Sequence, residues 1–396
     1  MAKKSLTIIL LFILVISYQP NINAQYPSDS ATIYLITASP GDEAYSAFGH
    51  SAIRISDPTH HYDVVYNYGT FDFSTPNFYL KFINGKLLYC LSKAYSDRFL
   101  SSYQEWGQAI YQQMLNLTNQ EKWQLINNLE VNFAPENRYY RYSFFYDNCA
   151  TRIRDILDKS TNNAIVYDSS YVKKPKSFRQ LMEPYMKKTP WLFFGMNIIL
   201  GKPADKVARV TDYTYLPEHM KDLYASSMIK RNNTLVPVSE KPVELFPTTL
   251  VFEKPNPLAS PLAVFCYLFF IIAFVTIIEY RTKLYLRWVT YLPFVVAGII
   301  SLLLLFLQFK SLHHELHQNF NLLWANPLAL ILAVWLIVNR KPKWLKILTI
   351  VYLFMLLIFV LVGVFGIQSI PGAIYPFIGI LVIRAMTILE FKISVK

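Results

Sequence analysis

The sequence predicts an exported α+β domain followed by an all-α transmembrane bundle of five helices. Three observations carry this. Of the 396 residues 53% are hydrophobic and only 16% charged, too apolar for an ordinary soluble protein. The most continuous apolar stretches lie beyond Leu258, in five segments near the length that spans hydrocarbon. Between residue 25 and that point, strand-like runs, turn signals and capped helical stretches are mixed along the chain.

Lys3 and Lys4 precede the apolar run Leu6 to Tyr18 and then Asn21-Ile22-Asn23-Ala24. This is the layout of a secretory signal over 1–24, cut after Ala24 or retained as an anchor. Either outcome exports the domain beyond it. Residues 25–255 then read as one domain and 256–396 as the membrane part.

Within the domain, Thr32 to Thr37, Phe48 to Ile55 and Tyr62 to Tyr68 are strand candidates, with Pro40-Gly41-Asp42 and Asp57-Pro58 marking turns. Lys86 to Ala94 and Ile110 to Leu117 are two more. Thr118-Asn119-Gln120-Glu121 spells a capping box for a helix running to about Phe133. Asn148 is a natural N-cap for a helix Cys149 to Lys159, whose Ile153, Ile156 and Leu157 share one face. Shorter helical pieces are expected near 176–188, 190–200 and 218–230, and the proline-rich Pro237 to Pro261 as a stiff linker.

The five spans fall at about 258–278, 288–309, 322–338, 345–367 and 369–389. Arg281, Lys283 and Arg287 lie between the first two, Arg340, Lys341, Lys343 and Lys346 between the third and fourth, and Lys392 and Lys396 in the tail. The alternate loops carry only Lys310 or no Lys/Arg. Basic loops stay in the cytoplasm, so residues 25–255 and 310–321 face the other side. The formal charge of +12 therefore reflects membrane topology and anionic lipid. No zinc-finger, helix-turn-helix or RNA-binding signature points to nucleic acid.

Three cysteines are present, Cys90, Cys149 and Cys266. Cys149 falls in the first turn of its expected helix, where unpaired N–H groups and the positive dipole end favour a thiolate. The same N–H groups suit the oxyanion of a tetrahedral intermediate. The bland alternatives are a small buried hydrophobe or a Cys90–Cys149 disulfide. His50 lies in an alternating run with Phe48 and Ala52 on its face, and a base there would activate the thiol. Such a histidine needs a third group to fix its tautomer; Asn67 is our choice and Asp63 the alternative, both on one face of the next strand. Arg152 is either solvated or a phosphate contact. In the loop Lys310 to Asn319, His313 and His317 have helical metal-pair spacing, but His314-Glu315-Leu316-His317 is one residue short of the zinc motif. A polar interfacial loop that lines the site through His313 fits better, with no metal.

These residues resemble a known family. Gly49-His50-Ser51-Ala52-Ile53-Arg54-Ile55, Val65-Tyr66-Asn67-Tyr68-Gly69-Thr70-Phe71 and Asn148-Cys149-Ala150-Thr151-Arg152-Ile153-Arg154-Asp155 look like the periplasmic domain of the Lnb family of bacterial lipoprotein N-acyltransferases. Asn319-Phe320-Asn321-Leu322-Leu323-Trp324-Ala325-Asn326-Pro327-Leu328 resembles that family's membrane part. The domain also resembles circularly permuted papain-like thiol enzymes of the NlpC type, in which the histidine strand precedes the cysteine helix.

The resemblance implies Cys149 as nucleophile, His50 as base and Asn67 or Asp63 as orienting residue, with Arg152, Asn148 and His313 at the substrate. It implies transfer of an acyl chain from a phospholipid donor, through a cysteine thioester, to the N-terminal amine of a diacylglyceryl lipoprotein acceptor. It places the protein in the bacterial inner membrane among membrane lipids, with no cofactor. Two other classes remain: a membrane-tethered thiol peptidase or amidase of the cell wall, and a non-enzymatic lipoprotein- or lipid-binding module.

Overall fold

The computed structural model describes residues 27–338 and 342–390. The expected leader, and Arg340, Lys341, Lys392 and Lys396 of the charge pattern, lie outside the described residues.

The N-terminal domain opens with strands β1 (Thr32–Ala38), β2 (His50–Asp57) and β3 (Tyr62–Thr70). A short helix α1 (Phe78–Ile83) leads to β4 (Leu88–Tyr95), α2 (Ser96–Glu105), β5 (Ile110–Met114) and α3 (Asn119–Phe133). Then come β6 (Tyr139–Arg141), α4 (Cys149–Ser160), β7 (Ile165–Val166), α5 (Phe178–Met186), α6 (Pro190–Ile199) and α7 (Pro217–Ser226). Strands β8 (Met228–Arg231), β9 (Thr234–Pro237) and β10 (Val243–Phe246) finish the domain.

Seven strands form one antiparallel sheet in the order β10-β5-β1-β2-β3-β4-β6. Alternation along β1 feeds two cores. Ile33 and Leu35 join Ile53, Ile55 and Tyr66 under α3 and α4, and Ile36 and Ala38 join Ala52 and Val65 under Phe99, Leu100 and Tyr103 of α2. Helix α4 presses Ile153, Ile156 and Leu157 into the first core, each worth about 1.5–3 kcal/mol of burial. Its position is thereby tied to β2 and β3. Helix α3 carries the expected capping box, with Thr118 accepting from the Glu121 amide and Glu121 from the Thr118 amide.

Two stretches differ from expectation. The proline-rich segment is only partly a linker, because Val243 to Phe246 pairs with β5 and closes the sheet edge. Helices α1 and α2 stand where no element was expected, and the β8–β9 hairpin begins inside the helical piece expected to reach 230.

The C-terminal part comprises α8 (Pro261–Thr282), α9 (Arg287–Lys310), α10 (Pro327–Ile337), α11 (Lys343–Val364) and α12 (Ile374–Glu390). Among the described residues three helices, α8, α9 and α11, are long and apolar enough to cross a membrane. A fourth crossing exists only if the helical stretch 314–323 and α10, which bend by 45° at their break, count as one. Of the five expected spans, three to four are thus clear among the described residues. The third segment is broken where Asn326 caps a new helix with Pro327 at its first position. The fifth forms the 17-residue α12, whose buried Arg384 pairs with Glu279 at 2.6 Å and also bonds Thr276 and Thr290.

The two parts are locked by buried amides. Asn319 Nδ2 donates to the carbonyls of Ile198 and Ile199 at 2.8 and 2.9 Å, and Asn321 Nδ2 to Ile198 at 3.0 Å. These satisfy the orphan carbonyls at the end of α6. Arg179 donates to the next two carbonyls, Leu200 and Gly201. Helix α6 packs Phe194 and Ile198 against the membrane cluster, so the domain rests on the bundle through an apolar helix.

Candidate active site

His50 opens β2 and Cys149 opens α4, and the fold sets both against Gly69, where thiol and imidazole interact electrostatically. Asn148 makes this possible. Its side chain accepts from the Thr151 amide at 2.9 Å, and Thr151 Oγ1 accepts from the Asn148 amide at 2.8 Å. Its Nδ2 donates to the carbonyls of Phe144 and Tyr215 at 2.9 and 2.8 Å. The cap thus fixes where the helix begins and leaves the N–H groups of Cys149 and Ala150 free of side-chain capping.

His50 Nε2 lies 2.5 Å from Asn67 Oδ1. An amide oxygen only accepts, so Nε2 carries the proton and Nδ1 is left for the thiol. Asp63, the alternative partner, is held elsewhere: it takes Arg54 in a two-pronged contact at 2.7 and 2.8 Å and accepts from Ser96. Tyr103 of α2 lies parallel to the His50 ring from the opposite side.

The electrostatics couple the pair. Burial by itself would raise the Cys149 thiol. The charge of His50, the hydrogen bond to it, and the amides of Ser51 and Ala150 outweigh burial and bring the thiol below its ordinary value. Burial would likewise depress His50, but the Cys149 charge, its hydrogen bond and the Asn67 contact hold the imidazole above its ordinary value. The arrangement favours a thiolate–imidazolium pair.

Three neighbours were not singled out from the sequence. Gly69, at φ +90°, stands over the pair; a Cβ there would lie 3.5 Å from Cys149 Cβ, 3.8 Å from His50 Cε1 and 4.0 Å from the Tyr140 hydroxyl. The strand therefore leaves one methyl-sized space bounded by thiol, imidazole and phenol. The Tyr140 hydroxyl is buried and has no hydrogen-bond partner, which is costly unless a ligand oxygen meets it. Tyr103 is the third, and the strand pattern around β6 and α2 held no sign of either aromatic's role.

Arg152 lies beside the site. It pairs with Asp147 at 2.5 and 2.9 Å, and its guanidinium sits 3.5 Å above the Tyr140 ring centre. His313 is on the loop between α9 and α10, where Nε2 donates to the Phe82 carbonyl at 2.9 Å. Cys90, Cys149 and Cys266 are all free thiols.

A family model described as the Lnb N-terminal periplasmic domain matches residues 18–183. A second, described as the Lnb transmembrane domain, matches residues 253–394. No curated protein and no solved structure matches the chain.

Proposed function

The chain belongs to the Lnb family, as an inner-membrane, multi-pass protein with a periplasmic N-terminal domain, and from that premise we propose that it N-acylates lipoproteins through a thioester on Cys149. Family membership supports the general role, an N-acyltransferase-type activity on lipoproteins. The observation that carries the mechanism is the contact of Cys149 with His50, itself held by Asn67. We further read the domain as permuted papain-like, on the order of histidine strand before cysteine helix.

The Cys149 thiolate adds to the ester carbonyl of a phospholipid. Oxygen charge builds in the space over Gly69, toward the Tyr140 hydroxyl and the amides at the start of α4. The carbon–oxygen bond breaks as His50 gives its Nδ1 proton to the leaving oxygen. Lysophospholipid departs and a thioester remains. The lipoprotein α-amine, in its neutral form, then adds to the thioester carbonyl. His50 takes a proton from the nitrogen, the carbon–sulfur bond breaks, and amide, thiolate and imidazolium result. Asn67 keeps the ring in the tautomer that presents Nδ1 throughout. Arg152, above the Tyr140 ring, makes that phenol a better hydrogen-bond donor.

The test is mass spectrometry of lipoprotein N-termini with and without the protein. Gain of one acyl chain on the α-amine is expected. Cleaved cell-wall peptides with unaltered lipoproteins would instead identify a tethered peptidase.

A further inference from the structure

Glu315 is a buried carboxylate with one long ionic contact and one oxygen without a donor. It is 4% exposed, and its Oε2 has no hydrogen-bond partner. Its nearest basic group is His313, whose Nδ1 is 3.6 Å from Oε1. That contact is a poor one. His313 Nε2 donates to the Phe82 carbonyl, and its Nδ1 stands beyond normal hydrogen-bond length from Oε1. No Lys or Arg among the described residues forms an ion pair with Glu315.

The loop that carries Glu315 is held rigidly. Ser311 Oγ donates to the Ile83 carbonyl at 2.8 Å, the Leu312 amide to Asn84 at 3.0 Å, and the Gly201 amide to the Glu315 carbonyl at 2.9 Å. A buried carboxylate oxygen kept in place without a hydrogen-bond donor is costly unless a ligand N–H group meets it.

Its position is beside the active site. Leu316 and Leu307 pack in one cluster with Phe48, two residues before His50, and with Phe144 and Phe145, which precede Cys149. An apolar seam thus runs from the outer end of α9 to the residues flanking both His50 and Cys149. Tyr142 joins the two charges: burial first, then Cys149, Tyr140, Tyr89 and Glu315, push its hydroxyl up.

We propose that Glu315 binds a primary ammonium group borne by a lipid substrate at the mouth of this seam. The site rests on the acyltransferase reading above. One chemistry has two sources: the α-amine of the lipoprotein acceptor, or the headgroup of an ethanolamine phospholipid donor. An ammonium supplies the N–H donors and the charge that Oε2 lacks, and its attached acyl chains follow the apolar seam.

The test uses the full-length protein in nanodiscs and Glu315→Gln, which keeps the shape and removes the charge. Two steps are timed: thioester formation from labelled phosphatidylethanolamine or phosphatidylglycerol, and transfer from preformed acyl-enzyme to a diacylglyceryl-cysteine lipopeptide. Glu315→Gln should slow, by tenfold or more, only a step that presents a primary ammonium. Loss confined to lipopeptide transfer assigns the acceptor amine; loss confined to phosphatidylethanolamine assigns the headgroup. Glu315→Asp should restore part of the rate. An equal loss with phosphatidylglycerol, or no loss at any step, overturns the proposal. If Glu315→Gln does not fold, competition on the unaltered protein decides: a lipopeptide with a free α-amine should block transfer more strongly than its N-acetylated form, and equal blocking overturns it. Absence of label on the unaltered protein would remove the acyltransferase reading, and this site with it; normal labelling with an indifferent Glu315→Gln removes the Glu315 site alone.

Discussion

Gly69 faces Cys149 so closely that a Cβ on the glycine would lie 3.5 Å from the cysteine's own Cβ. Any side chain there carries two costs. At φ +90° an L-residue is strained by about 1–3 kcal/mol. A methyl group would also occupy the space where we place the reacting carbonyl. Gly69→Ala should therefore lower the melting temperature and, at temperatures where it is folded, cut acyl-enzyme formation by roughly a hundredfold. Unchanged labelling would show that the carbonyl sits elsewhere.

Cys149→Ala should abolish N-acylation, whereas Cys90→Ala and Cys266→Ala should retain most of it. Only Cys149 combines a helix start with a histidine in contact. Cys149→Ser should be nearly inactive, because a hydroxyl is not ionised by this site. His50→Ala should lose activity on a similar scale, and the double variant should be little worse, since the two act as one unit. Label left on the unaltered protein by phospholipid alone should be released by neutral hydroxylamine.

The pH dependence reflects the two opposed shifts. Cys149 sits below the ordinary thiol value of 9.0, so thiolate persists toward lower pH than in a free cysteine. His50 sits above the ordinary 6.5, so imidazolium persists toward higher pH than in a free histidine. Acyl-enzyme formation needs both, giving a bell that belongs to the coupled pair. Asn67→Ala removes one of the contacts that raise His50. Its alkaline limb should move to lower pH while the acid limb moves less. A uniform loss of rate with an unmoved bell would count against Asn67 as the orienting group.

Tyr140→Phe removes a buried hydroxyl that has no partner in the resting protein. A merely structural phenol of this kind would be neutral or stabilising to lose. If the hydroxyl receives the oxyanion, the variant should keep its melting temperature and lose about 10²–10³ in kcat for acyl-enzyme formation. Both measured on one sample decide between the roles.

Topology can be checked in intact cells with single cysteines introduced at exposed positions, Cys90, Cys149 and Cys266 having been replaced by alanine. Lys310→Cys should react with an impermeant reagent from outside, and Lys283→Cys only after lysis. Labelling of position 283 from outside would refute the orientation.

Much of this protein was legible along the chain because the signals are local. The β-rich run Thr32 to Thr37, the box at Thr118 to Glu121 and the cap at Asn148 are set by residues within a turn or two of one another, and the structure has each of them. Apolar length and basic loops likewise report on the bilayer without needing a partner segment. Long-range closure is different. Val243 to Phe246 looks like linker until β5 offers an edge. The third span breaks at Asn326, and the fifth segment buries Arg384 only because Glu279, about a hundred residues earlier, neutralises it. Within the site, Cys149 and His50 announced themselves by residue type and local setting. Asn67 was the choice from the sequence; the tertiary structure sets it against His50, while Arg54 holds the alternative, Asp63, in an ion pair. Tyr140, Gly69 and Glu315 matter through what stands, or fails to stand, across from them: the space over a glycine, an unpartnered hydroxyl and a carboxylate oxygen without a donor are properties of packing, and no single stretch of chain encodes them.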